Sequence, residues 1–149
     1  MVWSGMDIGP AAAGDFPAIR DLLRSCALSA EDVDGVGAQR FLVAREGGEL
    51  AGCIGLEVHG EAGLLRSFAV ASAFRRRGVG AALHDAAVGL ARGLGIRDLY
   101  ILTTTVRERA LRDGFEDVER GSVPAAIREG SQFNGQCPAS AACMRMRVP

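Results

Sequence analysis

The apolar positions along the chain change period several times, and each change marks an element. Ile8 opens a short first strand. Ile19, Leu22, Leu23 and Cys26 then recur at i, i+3, i+4 and i+7, the stripe of an amphipathic helix, with Asp15 as its N-cap and Pro17 in its first turn. Ser29 followed by Asp32 reads as the cap of a second short helical turn. Phe41-Leu42-Val43-Ala44 is a strand and Gly47-Gly48 a turn. Leu50, Ile54, Leu56 and Val58 carry the returning strand, with period two from 54 onward, so the pair forms a hairpin. A turn from Gly60 to Gly63 leads into Leu64–Val70, a third strand apolar enough to be central.

The character changes after Val70. Arg75-Arg76-Arg77-Gly78-Val79-Gly80 opens a long helix with the stripe Val79, Leu83, Ala87, Leu90, Leu94, ended by Gly93 and Gly95. Leu99–Thr104 is a further strand, 106–113 a helix stopped by Gly114, and Phe115–Val118 and 141–148 two final strands. A helical segment runs from Pro124 to Phe133 between them. An antiparallel meander feeding a strand–helix–strand crossover predicts one α+β domain over 1–149, a mixed sheet with helices on both faces, with residues 1–5 a leader.

Composition narrows the function classes. With 17 basic and 18 acidic residues the net charge is −1, so no domain-wide basic field serves nucleic acid or an anionic membrane surface. Every basic residue besides the two histidines is an arginine, all along the chain, which reads as a genomic composition bias. Cys26, Cys53, Cys137 and Cys143 match no zinc spacing and read as reduced thiols, so no metal site is expected. The N-terminus lacks a secretory pattern, and the apolar stretch 79–96 carries His84, Asp85 and Arg92, too polar to span a bilayer. These features predict a soluble, cytoplasmic protein.

The junction Val70–Gly80 carries the chemistry. A strand ends, a short connection turns, and three arginines precede Gly78-x-Gly80 at a helix start. Such a terminus presents unpaired amides and a positive dipole end, and glycine lets a phosphate approach the backbone, so the site suits a diphosphate. The dinucleotide fingerprint is excluded because Leu83 holds its third glycine position, and no GK[ST] of a Walker loop is present.

The whole phrase, strand Leu64–Val70 followed by Arg75-x-x-Gly78-x-Gly80, resembles the R/Q-x-x-G-x-G/A motif of the GNAT superfamily of N-acetyltransferases, and the element order is similar along nearly the full chain. The resemblance implies a mostly antiparallel sheet with a central splay beside Leu99–Thr104, and acetyl-CoA as co-substrate. It implies that Arg75, Arg76, Arg77, Gly78, Val79, Gly80 and Ala81 hold the pyrophosphate, largely through backbone amides. Phe68, Ala69 and Val70 would pair their main chain with the pantetheine arm, the Val70 amide receiving the oxyanion. Dimers are common in the family, so a homodimer is among the assemblies implied. The family's usual tyrosine acid, four residues before the Gly of Gly114-Phe115, is replaced by Ala110, and Tyr100 does not fit that position.

A narrower resemblance lies in GLEVHGEAGLLRSFAV (55–70), TTT (103–105) and VPAAIREGSQFNGQCPASAACM (123–144). These segments are similar to GNAT enzymes encoded in bacterial arsenic-resistance operons, whose sister enzymes acetylate glutamate-like compounds such as phosphinothricin and arsinothricin. The resemblance implies transfer to the primary amine of a small, acidic, amino-acid-like molecule. Rival readings are a peptide, protein or antibiotic amine as acceptor, a coenzyme-A-binding regulatory module without turnover, and a metalloid-binding protein using Cys137 and Cys143.

Amine acetylation requires a base. Glu57 alternates away from the row Ile54, Leu56, Val58 and is the candidate; His59 shares its face and is a candidate member of a proton wire. Arg66 sits inside an apolar strand, where an unpaired charge is costly. It needs a partner: a substrate carboxylate, an acidic side chain such as Glu57, or a sheet edge. Ser67, Thr103 and Thr104 offer hydroxyls at the splay. Arg128 and Phe133 are placed on the acceptor wall or, for Arg128, on a solvated helix face. His84 reads as a packing residue.

Overall fold

The computed structural model describes residues 6–103, 107–130 and 141–149. Seven strands form one sheet: β1 (Met6–Pro10), β2 (Gln39–Glu46), β3 (Glu49–His59), β4 (Ala62–Val70), β5 (Asp98–Thr103), β6 (Glu116–Asp117) and β7 (Ala142–Arg147). Their spatial order is β1-β2-β3-β4-β5-β7-β6, and only β4 and β5 run parallel among the pairings of the described residues. The mixed, mostly antiparallel α+β architecture expected from the sequence is the one found.

Helices cover both faces: α1 (Phe16–Ser25), α2 (Val79–Gly93), α3 (Arg107–Arg112) and α4 (Ala125–Arg128). On one face Ile19, Leu22 and Leu23 of α1 pack with Val33, Phe41, Val43, Cys53 and Ala69. On the other, Val79, Leu83, Ala87 and Ala91 of α2 pack with Leu42, Ala44, Ile54, Leu56 and Leu65. Alternate residues of β2 thus enter two different cores, which explains why 41–44 is a continuous apolar run rather than an alternating one. A third cluster joins Leu64, Tyr100 and Cys143 to Val123 and Ile127 at α4.

Several local expectations are corrected. After Ser29 there is no second helical turn; residues 26–38 form turns and bends, where the Val33 N–H reaches Ala30 C=O at 3.3 Å. Asp15 precedes α1 without capping it: its carboxylate accepts from the Ala12 amide at 2.6 Å and pairs with Arg45. The α2 stripe continues through Ala91, not Leu90 and Leu94. Spacing of four keeps 79, 83, 87 and 91 on one side, and Leu94 falls past the helix end and is exposed. The described part of the segment after Pro124 is one helical turn, 125–128; Phe133 lies outside the described residues, as do Thr104 and Cys137. Among the described residues no helix is long and apolar enough to cross a membrane.

Candidate active site

The site begins with what β4 cannot pair. On one side it is laddered to β3 along most of its length, but its parallel pairing with β5 stops after Ala62–Asp98, Gly63–Leu99 and Leu64–Tyr100. Beyond Leu64 the two strands part, leaving the β4 edge facing an opening. The β3–β4 register also shifts, with Cys53 opposite Ala69 but Gly55 opposite Arg66, so Ser67 and Phe68 together oppose Ile54. This is a β-bulge, and Ser67 takes the left-handed φ of 53° there. The Cys53 thiol lies 3.3 Å from the Ser67 carbonyl. Past the bulge, the Ala71 N–H donates to Ala51 C=O at 2.8 Å. Strand alternation then turns the Val70 N–H away from β3, toward the open edge.

The α2 terminus closes one end of that opening. Gly78 precedes the helix at a φ of 80°, and Arg76 is also left-handed at 64°. The first bond into the helix runs from Ala82 N–H to Gly78 C=O, so the amides of Val79, Gly80 and Ala81 have no intrahelical acceptor. The Phe68 ring and Val70 side chain lie beside Gly80: a Cβ placed there would sit 3.6 Å and 3.7 Å from them. The coenzyme residues expected from the sequence, 68–70 and 75–81, therefore meet at one end of the splay. Arg75 donates from Nε to the Val70 carbonyl at 3.2 Å, and Arg77 pairs with Glu46 at 2.7 Å while covering the Phe74 ring. Two of the three arginines are thus tied to the protein, and Arg76 is exposed.

On the α1 and α4 face, beside the point where the strands part, lies a chain of four polar side chains. Arg66 is almost wholly enclosed, its side chain 1% exposed. Its Nη1 donates to Glu57 Oε2 at 2.6 Å and to Asp32 Oδ2 at 2.9 Å, its Nη2 to Asp32 Oδ1 at 2.5 Å, and its Nε to Ser67 Oγ at 3.1 Å. Glu57 Oε1 lies 3.0 Å from His59 Nε2. Burial works against the charge of Arg66, but the hydrogen bonds to Asp32 and Glu57 outweigh it and hold its pKa above the ordinary arginine value. The stem of Arg66 fits because its neighbour on β3 is Gly55, where a Cβ would lie 3.2 Å from Arg66 Cγ and 2.8 Å from the Phe41 ring.

Of the partners weighed for Arg66, the structure gives it acidic side chains. Glu57 was among them and Asp32 was not, because Asp32 read as part of a helix cap. Glu57 and His59 meet as their shared face requires. Thr103 ends β5 opposite Ala142. Arg128 is exposed on its helical turn, as the solvated-face reading has it, and its Nε donates to the Val123 carbonyl at 2.8 Å. Ala110, in the place of the usual acid, is a buried core residue, and so is Tyr100. His84 packs edge-on to Phe115. No group of three or more metal-ligating side chains occurs among the described residues.

A strand bulged and splayed beside a helix N-terminus that carries an R-x-x-G-x-G turn is the arrangement that the resemblance of the sequence to the GNAT superfamily implies. Residues 15–113 match the family model described as the acetyltransferase (GNAT) family, and the chain belongs to that family. Among solved structures it is similar to N-acetylglutamate synthase from Neisseria gonorrhoeae complexed with coenzyme A and N-acetyl-glutamate. The two share 24% identity at a TM-score of 0.83, over 97% of this chain and 35% of that one. The chain therefore spans about a third of the synthase. It is also similar to Rv2747 from Mycobacterium tuberculosis in complex with CoA and NLQ, with 25% identity and a TM-score of 0.80, covering 96% of this chain and 99% of that one. A GNAT acetyltransferase from Staphylococcus aureus matches at 15% identity and a TM-score of 0.77, covering 97% and 99%. No curated protein matches the sequence.

Proposed function

We propose that this protein transfers acetyl from acetyl-CoA to the primary amine of a small, acidic, amino-acid-like molecule, a glutamate analogue such as phosphinothricin or arsinothricin. The observation that carries the reading is the Asp32–Arg66–Glu57–His59 chain, placed beside the splay that in this family receives the thioester. The similarity of segments 55–70, 103–105 and 123–144 to enzymes of arsenic-resistance operons supplies the substrate class and the detoxification setting. The synthase structure, complexed with coenzyme A and N-acetyl-glutamate, supports an amino-acid-like acceptor.

The residues divide the work as follows. The amides of Arg76–Ala81 hold the pyrophosphate, and the open β4 edge at Phe68–Val70 aligns the pantetheine. Two carboxylates face one guanidinium, so the cluster attracts a protonated amine. Glu57 takes the amine's proton, directly or through water, and His59 on its other oxygen carries it outward, its own side chain being 22% exposed. The freed amine attacks the thioester carbonyl and the Val70 amide receives the oxyanion; collapse breaks the C–S bond and expels the coenzyme thiolate while the nitrogen gives its second proton to water, leaving the neutral amide. With Ala110 where an acid would stand, that thiolate leaves unassisted or is protonated by water.

Arg66 holds Glu57 in place by the 2.6 Å bond and anchors an acceptor carboxylate, with Ser67 and Thr103 offering hydroxyls on the acceptor side. The test is thioester loss from acetyl-CoA with phosphinothricin, arsinothricin, glutamate, aspartate and a peptide amine in turn. Turnover with the glutamate analogues is expected. Tight acetyl-CoA binding without turnover on any amine would instead leave a silent binding module.

A further inference from the structure

The left-handed turn at Ser67 governs which way the second half of β4 faces. Among the described residues three besides glycine have a positive φ. Ala27 and Arg76 lie in turns, and Ser67 alone holds it inside a strand, at 53°. Before the turn, Leu64 and Arg66 face the α1 and α4 side of the sheet, and Leu65 packs in the α2 core. After it the order is reversed: Ala69 packs in the α1 core, and Val70 lies against the α2 core. A strand of period two with no extra residue would carry Phe68 and Val70 to the side of Leu64 and Arg66. The bulge instead sets both side chains beside Gly80 at the α2 terminus.

We propose that Ser67 is a positioning residue for the coenzyme, acting through its left-handed backbone rather than through its hydroxyl; this rests on the reading of Phe68–Val70 as the strand that aligns the pantetheine. A residue with a Cβ resists that conformation, so the surroundings must hold it there. Two side chains do so. The thiol of Cys53, itself fully buried, donates to the Ser67 carbonyl at 3.3 Å. Arg66 Nε donates to Ser67 Oγ at 3.1 Å, and Arg66 is fixed in turn by its 2.6 Å bond to Glu57. Carbonyl and side chain of the bulge residue are thus both gripped, while Phe68, next to it, stays 37% exposed.

The experiment titrates coenzyme A into the wild-type protein, Ser67→Gly, Ser67→Ala and Ser67→Thr by calorimetry, with urea unfolding to confirm that each is folded. A parallel titration uses adenosine 3′,5′-bisphosphate, which lacks the pantetheine arm. Glycine takes the left-handed turn freely but has no hydroxyl; threonine keeps the hydroxyl, but its branched Cβ resists the turn. Ser67→Gly is expected to hold coenzyme A within about twofold of wild type and Ser67→Thr to lose about tenfold, with Ser67→Ala between them. The bisphosphate binds all four proteins alike, whereas a merely damaged fold would weaken both ligands. Binding is the readout because the hydroxyl also serves the acceptor side in turnover.

If Ser67→Thr fails to fold, Ser67→Ala against Ser67→Gly decides the matter, since both lack the hydroxyl and differ in the turn. Wild-type affinity in Ser67→Thr with Ser67→Gly and Ser67→Ala weakened together is the signature of the hydroxyl and overturns the proposal. One coenzyme affinity in all four proteins overturns it as well. A wild-type protein that holds coenzyme A no tighter than the bisphosphate defeats the pantetheine reading and the role of Ser67 with it, whereas a reversed order of the variants defeats the role of Ser67 alone.

Discussion

Arg66 Nη1 and Glu57 Oε2 lie 2.6 Å apart on neighbouring central strands, both side chains enclosed. In a strand otherwise filled by Leu64, Leu65 and Ala69, this pair holds the only buried charges among the described residues. It does so because Asp32 and Ser67 complete the guanidinium's bonds. Removing one member therefore has consequences for both stability and chemistry, and these separate by experiment.

Glu57→Gln keeps the shape and removes the base. It is expected to lower kcat by about 10²–10⁴ while leaving the acetyl-CoA dissociation constant unchanged. The pH–rate profile is the check: if Glu57 takes the proton, its acid limb disappears in the variant. An unchanged profile removes Glu57 from that role.

Arg66→Met removes the guanidinium that Asp32 and Glu57 share. Breaking a buried pair in this way costs about 3–5 kcal/mol, read as a lower urea midpoint. The triple change Asp32→Asn, Glu57→Gln, Arg66→Met should recover part of that loss. If Arg66→Met alone unfolds at the wild-type midpoint, the enclosed network contributes nothing net.

At the α2 terminus the backbone, not the arginine side chains, is expected to bind the coenzyme pyrophosphate. Gly78→Glu must adopt a φ of 80°, and Gly80→Glu fills the space beside Phe68 and Val70. Both should nearly abolish coenzyme A binding in calorimetry, whereas Arg76→Ala weakens it modestly. Wild-type affinity in either glycine variant would sink the phosphate-cradle account.

Burial pushes the Cys53 thiol up to about 12. The folded value exceeds the unfolded one of 9.0, so its contribution to stability is complete below pH 9.0 and is lost as pH rises toward 12. The loss approaches about 1.4 kcal/mol per pH unit. Cys53→Ala should flatten this alkaline limb in urea unfolding against pH. In the native protein at pH 8, iodoacetamide should label the partly exposed Cys26 well before Cys53, as peptide mapping would show.

The elements legible in the sequence were those whose periods are local. The β2–β3 hairpin and α1 follow from spacing and turn glycines, and the facing of Glu57 and His59 follows from strand alternation alone. The phrase from Leu64 to Gly80 located the splay and the helix terminus. What was not legible depends on distance along the chain. Asp32 and Arg66 are separated by 34 positions, and Asp32 in isolation has the look of a cap residue. The bulge at Ser67 leaves no signal in a sequence with no glycine there. Gly55 was the available hint, since a glycine in mid-strand marks a close approach, here by the Arg66 stem and the Phe41 ring. The α2 stripe was misplaced in its last turn because Leu94 is apolar, although the helix stops at Gly93 and Ile96 takes the buried place.

The central claim is acetyl transfer to an acidic amino-acid-like amine, and a competition reaction tests it most directly. Wild-type protein and limiting acetyl-CoA are mixed with equal amounts of phosphinothricin, arsinothricin, glutamate, n-pentylamine and a peptide with a free N-terminus, and the products are read by mass spectrometry. The account predicts acetyl groups mainly on the glutamate analogues. Acetylation confined to the peptide or to n-pentylamine, or coenzyme bound with no acetylated product, would contradict it.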